Sequence, residues 1–386
     1  MKKILLSVAV VLFAAANVNA QSFLKRIGKA VEKEIVNGLS GNKDKQQPAK
    51  EQQTNPTNQH QTQRPSTPQT SYRAPAPSSM KVPISEVYPG NAEFYSEGPT
   101  GATTTIDNIE YVVFTDKKYA YLSCVAQPMR GKTTRVRVWG GIRYKGVVYP
   151  VIYIKAHAFE GESLTSVQLP STLQEIQEEA FSSSHLQSVV IPSSTWRIGA
   201  SAFAGTPLTS VRMAEGVKQI EGSAFAGCVN LTQIAIPNSV TKIDRNTFLD
   251  CKKLTQVILS RNITSIPISM FEGCTALTSY SIPGNIEKIE ANAFSRSGLT
   301  AVRIPLHVKT IDDSAFAWCS NLTSVTIPST VEHFGDMIFV GCKNLSTLYI
   351  HKKHKDLRTM VDLFGSDCPL FTSDNMDEWQ GVTWVD

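Results

Sequence analysis

Nine phenylalanines recur through the second half of the sequence at a nearly constant interval: Phe159, Phe181, Phe203, Phe225, Phe248, Phe271, Phe294, Phe316 and Phe339. Every step is 22 or 23 residues. A unit that short cannot bury its apolar side alone, so copies must stack and share one core. The period predicts a β-rich repeat solenoid of about nine 22–23-residue repeats. Function is thereby restricted to what a long repetitive surface can do.

Within each repeat a leucine follows the phenylalanine, from Leu164 to Leu345. From each of the first eight leucines to the next phenylalanine is always 17 residues, so length varies only in the Phe-to-Leu turn, of five or six residues. The six-residue turns are those carrying Cys228, Cys251, Cys274, Cys319 and Cys342, three positions after the phenylalanine. The shorter turns have Glu162, Ser184, Thr206 and Ser297 there. The extra residue is expected to swing this position inward, where a small thiol packs well. Apolar residues three and five after the leucine, such as Val257 and Leu259, alternate as in a short strand, and proline follows directly in six repeats. A second apolar pair precedes the phenylalanine, as Val240 and Ile243 precede Phe248. Each repeat reads as a strand, a turn, a second short extended piece and a tight Ala-Phe turn or single helical turn, with the rings in one interior ladder.

The rest of the chain divides by composition. Residues 1–20 carry two lysines, the apolar run Ile4 to Ala16 and a small-residue end at Ala20, the pattern of a cleaved secretory signal peptide. Export to the periplasm, cell surface or medium follows from it. Residues 22–39 space Phe23, Ile27, Val31, Ile35 and Leu39 four apart among lysines, as an amphipathic helix does. Such a helix has two uses: contact with a membrane or envelope partner through Phe23 to Leu39, or packing on its own solenoid. Residues 40–100, rich in Gln, Pro, Thr and Ser, read as a disordered linker, since so few large apolar residues cannot offset the entropy of ordering. Alternating segments within 101–150, among them Ile109 to Phe114 and Arg135 to Val138, read as an antiparallel N-terminal β cap. It would cover the open end of a solenoid spanning 151–350. Residues 351–386, with Trp379 and Trp384, read as the C-terminal cap.

Charge limits the partners. The chain carries a net +5; removing two signal lysines and the local +6 of residues 21–85 leaves about −3 on the remainder. The folded part is therefore no basic nucleic-acid binder.

Leu322 to Pro328 (Leu-Thr-Ser-Val-Thr-Ile-Pro), with Ala224 to Cys228 (Ala-Phe-Ala-Gly-Cys) and Val240 to Ile243 (Val-Thr-Lys-Ile), resembles the BspA-like class of bacterial leucine-rich repeats. The likeness covers about residues 150–350. The resemblance implies an exported or surface protein of anaerobic bacteria or protists that binds other proteins, often host matrix proteins or other microbes. Members of that class act through surfaces that vary, so no functional residue carries over.

No constellation in the sequence gathers an acid, base or nucleophile. His157, His185, His307 and His333 occupy unrelated repeat positions, and no phosphate-cradling loop, paired-carboxylate site or nucleophile elbow is present. Neither an enzyme nor a cofactor or metal is expected. Cys228, Cys251 and Cys274 fill one slot in consecutive repeats, near enough for disulfides in an oxidising compartment, whereas the odd total of seven cysteines favours free, packed thiols. Residues two and four after each leucine should face solvent, and most are small and polar. Arg212, Gln233, Gln256, Ile258, Arg303 and Tyr349 are the candidate partner-binding residues there; arginine and tyrosine are enriched at binding hot spots. The expected function is protein–protein interaction, chiefly adhesion to host or microbial proteins. A structural envelope role through Phe23 to Leu39, and glycan binding on the Ser/Thr/Gln-lined sheet, are the alternatives.

Overall fold

The computed structural model describes residues 76–98, 101–127, 129, 134–351 and 382–384. The expected signal peptide, the 22–39 helix, most of the linker and most of the C-terminal cap lie outside the described residues.

Seven strands precede the first complete coil: β1 (Phe94–Gly98), β2 (Gly101–Ile106), β3 (Ile109–Phe114), β4 (Tyr119–Val125), β5 (Thr134–Arg137), β6 (Gly141–Tyr144) and β7 (Val147–Ile154). The first coils add β8 (Leu164–Gln168), β9 (Glu175–Ile176), β10 (Ser188–Ile191), β11 (Arg197–Ile198), β12 (Ser210–Met213), β13 (Gln219–Ile220), β14 (Gln233–Ala235) and β15 (Lys242–Ile243). Then come β16 (Gln256–Ile258), β17 (Ser265–Ile266), β18 (Lys288–Ile289), β19 (Ala301–Arg303), β20 (Thr310–Ile311), β21 (Ser324–Ile327), β22 (His333–Phe334), β23 (Thr347–Ile350) and β24 (Val382–Trp384).

Stacking sorts these strands into two parallel series. Strands that follow the leucine form the first sheet, in segments β5-β8-β10-β12, β14-β16 and β19-β21-β23-β24. Strands that precede the phenylalanine form the second, in segments β7-β9-β11-β13-β15 and β17-β18-β20-β22. A third ladder runs through the turns: Phe159 N–H donates to the Ala180 carbonyl, Phe181 to Ala202 and Phe294 to Ala315, each at 2.8 Å. Small alanines beside the rings permit that close approach. The bend is a turn and not a helix, because the residues two before and two after each phenylalanine have positive φ, as Ser201 (52°) and Gly205 (68°) do around Phe203. The nine rings form one buried column, with successive centroids 5.1 to 5.9 Å apart and planes within 22°.

At the N-terminal end β1 to β4 form an antiparallel meander, and β4 pairs parallel with β7, so the meander continues the second sheet. Strand β5 departs from the antiparallel reading of Arg135 to Val138. It pairs parallel with β8, placing Val136 against Val167 and making it the first strand of the first sheet. Buried Val136 on β5 and Val138 just after it cover the apolar end of the first coil. Strand β1 lies inside the stretch read as linker, where it adds an edge to the meander.

Several charges on the second sheet are paired between coils, although Lys242 on β15 has no such partner among the described residues. Arg197 on β11 grips Glu221 with Nε and Nη2, both at 2.8 Å, and reaches Glu175 with Nη1 at 3.0 Å. All three side chains are partly buried. Removing the guanidinium strands two shielded carboxylates one coil apart on either side. Arg197→Ala is expected to cost about 2 kcal/mol in urea unfolding, partly recovered by adding Glu175→Gln. No recovery would mean that the loss is packing alone.

Candidate binding face

The first sheet presents two solvent-facing columns, at positions two and four after each leucine. Gln233 and Gln256 are registered neighbours on β14 and β16, with Ala235 beside Ile258. Arg303 neighbours Thr326, which neighbours Tyr349. Arg212 belongs to another sheet segment, beside Val190. All six candidate residues are exposed, Ile258 to 68%. Arg135 and Arg137 on β5 extend the same two columns; the sequence reading had assigned them to the cap.

Electrostatics distinguish this sheet. In none of the nine coils does the segment from the leucine to the apolar residue five on contain an aspartate or glutamate. Arg212 and Arg303 make no ion pair or side-chain hydrogen bond among the described residues. On the second sheet Arg197 and Lys288 are paired, Lys288 with Asp312 at 2.8 Å, as is Lys309 just before β20, with Glu332 at 3.2 Å; Lys242 on β15 has no ion pair among the described residues.

The first sheet is interrupted twice. Strands β12 and β14 do not pair where the preceding turn lengthens from five residues to six. The second interruption is larger, because Ser279 to Ile282 form no strand at all. Here Tyr280 occupies the column that holds valine in six other repeats. Its ring wedges against Phe271 and Phe294, at 5.4 and 5.7 Å between centroids. The buried hydroxyl has no hydrogen-bond partner, and burial raises its pKa. The backbone of Ser279 to Ile282 makes no hydrogen bond to either neighbouring strand. A groove of about 680 Å³ opens beside it, lined by Ser279, Ser281, Thr300, Arg303 and Thr326 among others.

The described cysteines are free thiols, at positions 124, 228, 251, 274, 319 and 342. Burial is not what separates the two turn lengths, since Ser184, Thr206 and Ser297 of the short turns are buried as well. The thiols share one kind of acceptor that the short-turn hydroxyls do not. Each of the five repeat thiols donates to the carbonyl of the phenylalanine one coil back, Cys228 to Phe203 at 3.3 Å and Cys342 to Phe316 at 3.1 Å, for example. Thr206, in a short turn, donates instead to Phe203 of its own coil at 2.7 Å. These thiols are core fasteners.

His157, Glu160 and Glu179 gather their ligand-type atoms within 4.8 Å at the first coil. One imidazole nitrogen, Nδ1, faces both carboxylates, at 2.7 and 3.4 Å, which is the geometry of an exposed ion pair.

The architecture is that of a leucine-rich repeat β-solenoid. The sequence profile of the BspA type leucine rich repeat region matches residues 146–255 and 241–361, in six copies, together more than half of the chain. The chain belongs to that family. Among solved structures it is similar to the pneumococcal vaccine antigen PcpA (16% identity, 75% of this chain and 100% of that one, TM-score 0.38). It is also similar to a leucine-rich cell surface protein of Faecalibacterium prausnitzii (18%, 68% and 97%, 0.34). A third is the T. pallidum leucine-rich repeat protein (24%, 63% and 90%, 0.36). Comparison with curated protein sequences gave no match.

Proposed function

We propose that this chain is an exported, non-enzymatic binding protein whose first sheet holds a protein partner, with adhesion to host or microbial proteins as its use. The observation that carries this reading is the uneven pairing of charge. Among the described residues Arg212 and Arg303 stand unpaired on a sheet whose strands hold no carboxylate, while Arg197, Lys288 and Lys309 on or beside the other sheet are neutralised, although Lys242 there is not. An extended face of hydroxyls and amides with isolated guanidinium groups suits a partner that offers carboxylates, which arginine takes in paired hydrogen bonds. Membership of a repeat family supports binding over catalysis, and the Met1 to Ala20 pattern supports export.

The test is surface-plasmon binding of the purified chain to immobilised host matrix proteins and bacterial surface extracts. At least one surface should retain the wild type. Arg212→Glu with Arg303→Glu should weaken retention by about tenfold or more, whereas Lys242→Glu on the second sheet should leave it unchanged. Silence across the whole panel, or equal behaviour of both variants, refutes the reading. Retention confined to a glycan array replaces the protein partner with a sugar.

A further inference from the structure

The groove beside Tyr280 lies where the first sheet is interrupted, with tyrosine in the valine column and the turn of the next coil one residue shorter. Where valine holds this column the strand can pair on both sides, as β10 with Val189 does between β8 and β12. Here the tyrosine buries an unpartnered hydroxyl, and four residues of backbone are left free. Stability alone selects against both features. What they create is an opening with unpaired main-chain donors and acceptors, a rim of hydroxyls, and one unpaired cation, Arg303.

We propose that this opening docks an extended, acidic peptide segment of the protein partner. The peptide's backbone takes the hydrogen bonds that Ser279 to Ile282 leave open, as in strand addition at a sheet edge. One of its carboxylates lies on the Arg303 guanidinium, the sole charged group lining the groove. The volume of about 680 Å³ accommodates several residues in extended form. Arg212, three coils away, takes no part. This inference rests on the protein-binding reading above and gives that reading a place and a recognition chemistry.

A random nonapeptide phage library panned on the purified chain, with Tyr280→Val as counter-target, tests it. Enriched peptides should carry Asp or Glu in sequences of high β-propensity. Fluorescence anisotropy with an enriched peptide should show binding weakened about tenfold or more by Tyr280→Val and by Arg303→Glu, and unchanged by Arg212→Glu. Methylating the peptide's backbone nitrogens should weaken it similarly. Tyr280→Val should have a urea midpoint at or above the wild type, so its loss of binding cannot be unfolding. No enrichment, enrichment without acidic residues, or peptides that bind Tyr280→Val equally well would each overturn the proposal. So would Arg303-dependent binding of a heparin-derived tetrasaccharide in place of peptide. If Tyr280→Val also keeps full retention on the matrix proteins, this site is lost and the wider reading stands; if no surface retains the wild type either, both are lost.

Discussion

Phe203→Ala lowers the free energy of unfolding by about 3–5 kcal/mol. The ring is wholly buried and lies parallel to its neighbours, 5.2 Å from Phe181 and 5.3 Å from Phe225. Truncation removes the transfer energy of a benzyl group and leaves a hole that cannot close. Both neighbouring coils are held at fixed spacing by the Phe203 N–H bond to Ala224 and the Phe181 N–H bond to Ala202. Phe339→Ala should cost less, because its ring stacks on Phe316 alone among the described rings. In a solenoid the cost falls on coupling between coils, so the urea transition of Phe203→Ala should broaden as well as shift. Equal, small losses for Phe203→Ala and Phe339→Ala, below about 1 kcal/mol, would mean that the column fills space without holding the stack together.

The column itself was readable in the sequence, because a constant count of residues per coil forces equivalent side chains into one position. The exposed columns were readable for the same reason, and Arg212, Gln233, Gln256, Ile258, Arg303 and Tyr349 lie on the solvent side of the first sheet. Their role in binding is the proposal made above. Periodicity fails where volume or pairing decides. Tyr280 passes as one more apolar residue in the valine column; only the structure shows its ring against Phe271 and Phe294 where no strand forms. Strand β5 is evident from alternation, but alternation carries neither direction nor partner, so its parallel pairing with β8 was hidden. Spacing placed the cysteines in one slot without saying where the thiols point, and the acceptor turns out to be a backbone carbonyl. The bridge from Glu175 through Arg197 to Glu221 was half legible: Glu175 stands one coil back in the Arg197 column, whereas the next coil has Gln219 there and Glu221 lies two residues on.

Raising the pH from about 8 to about 10.5 should destabilise the solenoid through the buried thiols of Cys228, Cys251 and Cys274. Burial pushes Cys228 from the ordinary 9.0 up to about 11 and Cys274 up to about 12, and it moves Cys251 well upward too. Folding therefore holds protons that the unfolded chain releases above pH 9.0. Under proton linkage the stabilisation is complete below that value and is lost as the pH climbs toward the folded pKa values. At about pH 10.5 the loss is about 2 kcal/mol for each of Cys228 and Cys274, with Cys251 adding in the same direction. Urea midpoints measured at both pH values on the wild type and on Cys228→Ala/Cys274→Ala isolate the effect, because lysines and tyrosines titrate alike in the two proteins. The wild type should lose about 4 kcal/mol more than the double variant over this interval. A thiol reagent at about pH 8 should leave Cys228, Cys251 and Cys274 unmodified until urea unfolds the chain, since a buried thiol whose pKa is raised and that donates to a carbonyl is no nucleophile. Parallel pH profiles for the two proteins, or rapid labelling of the folded chain, would place these thiols at the surface and remove them from the stack.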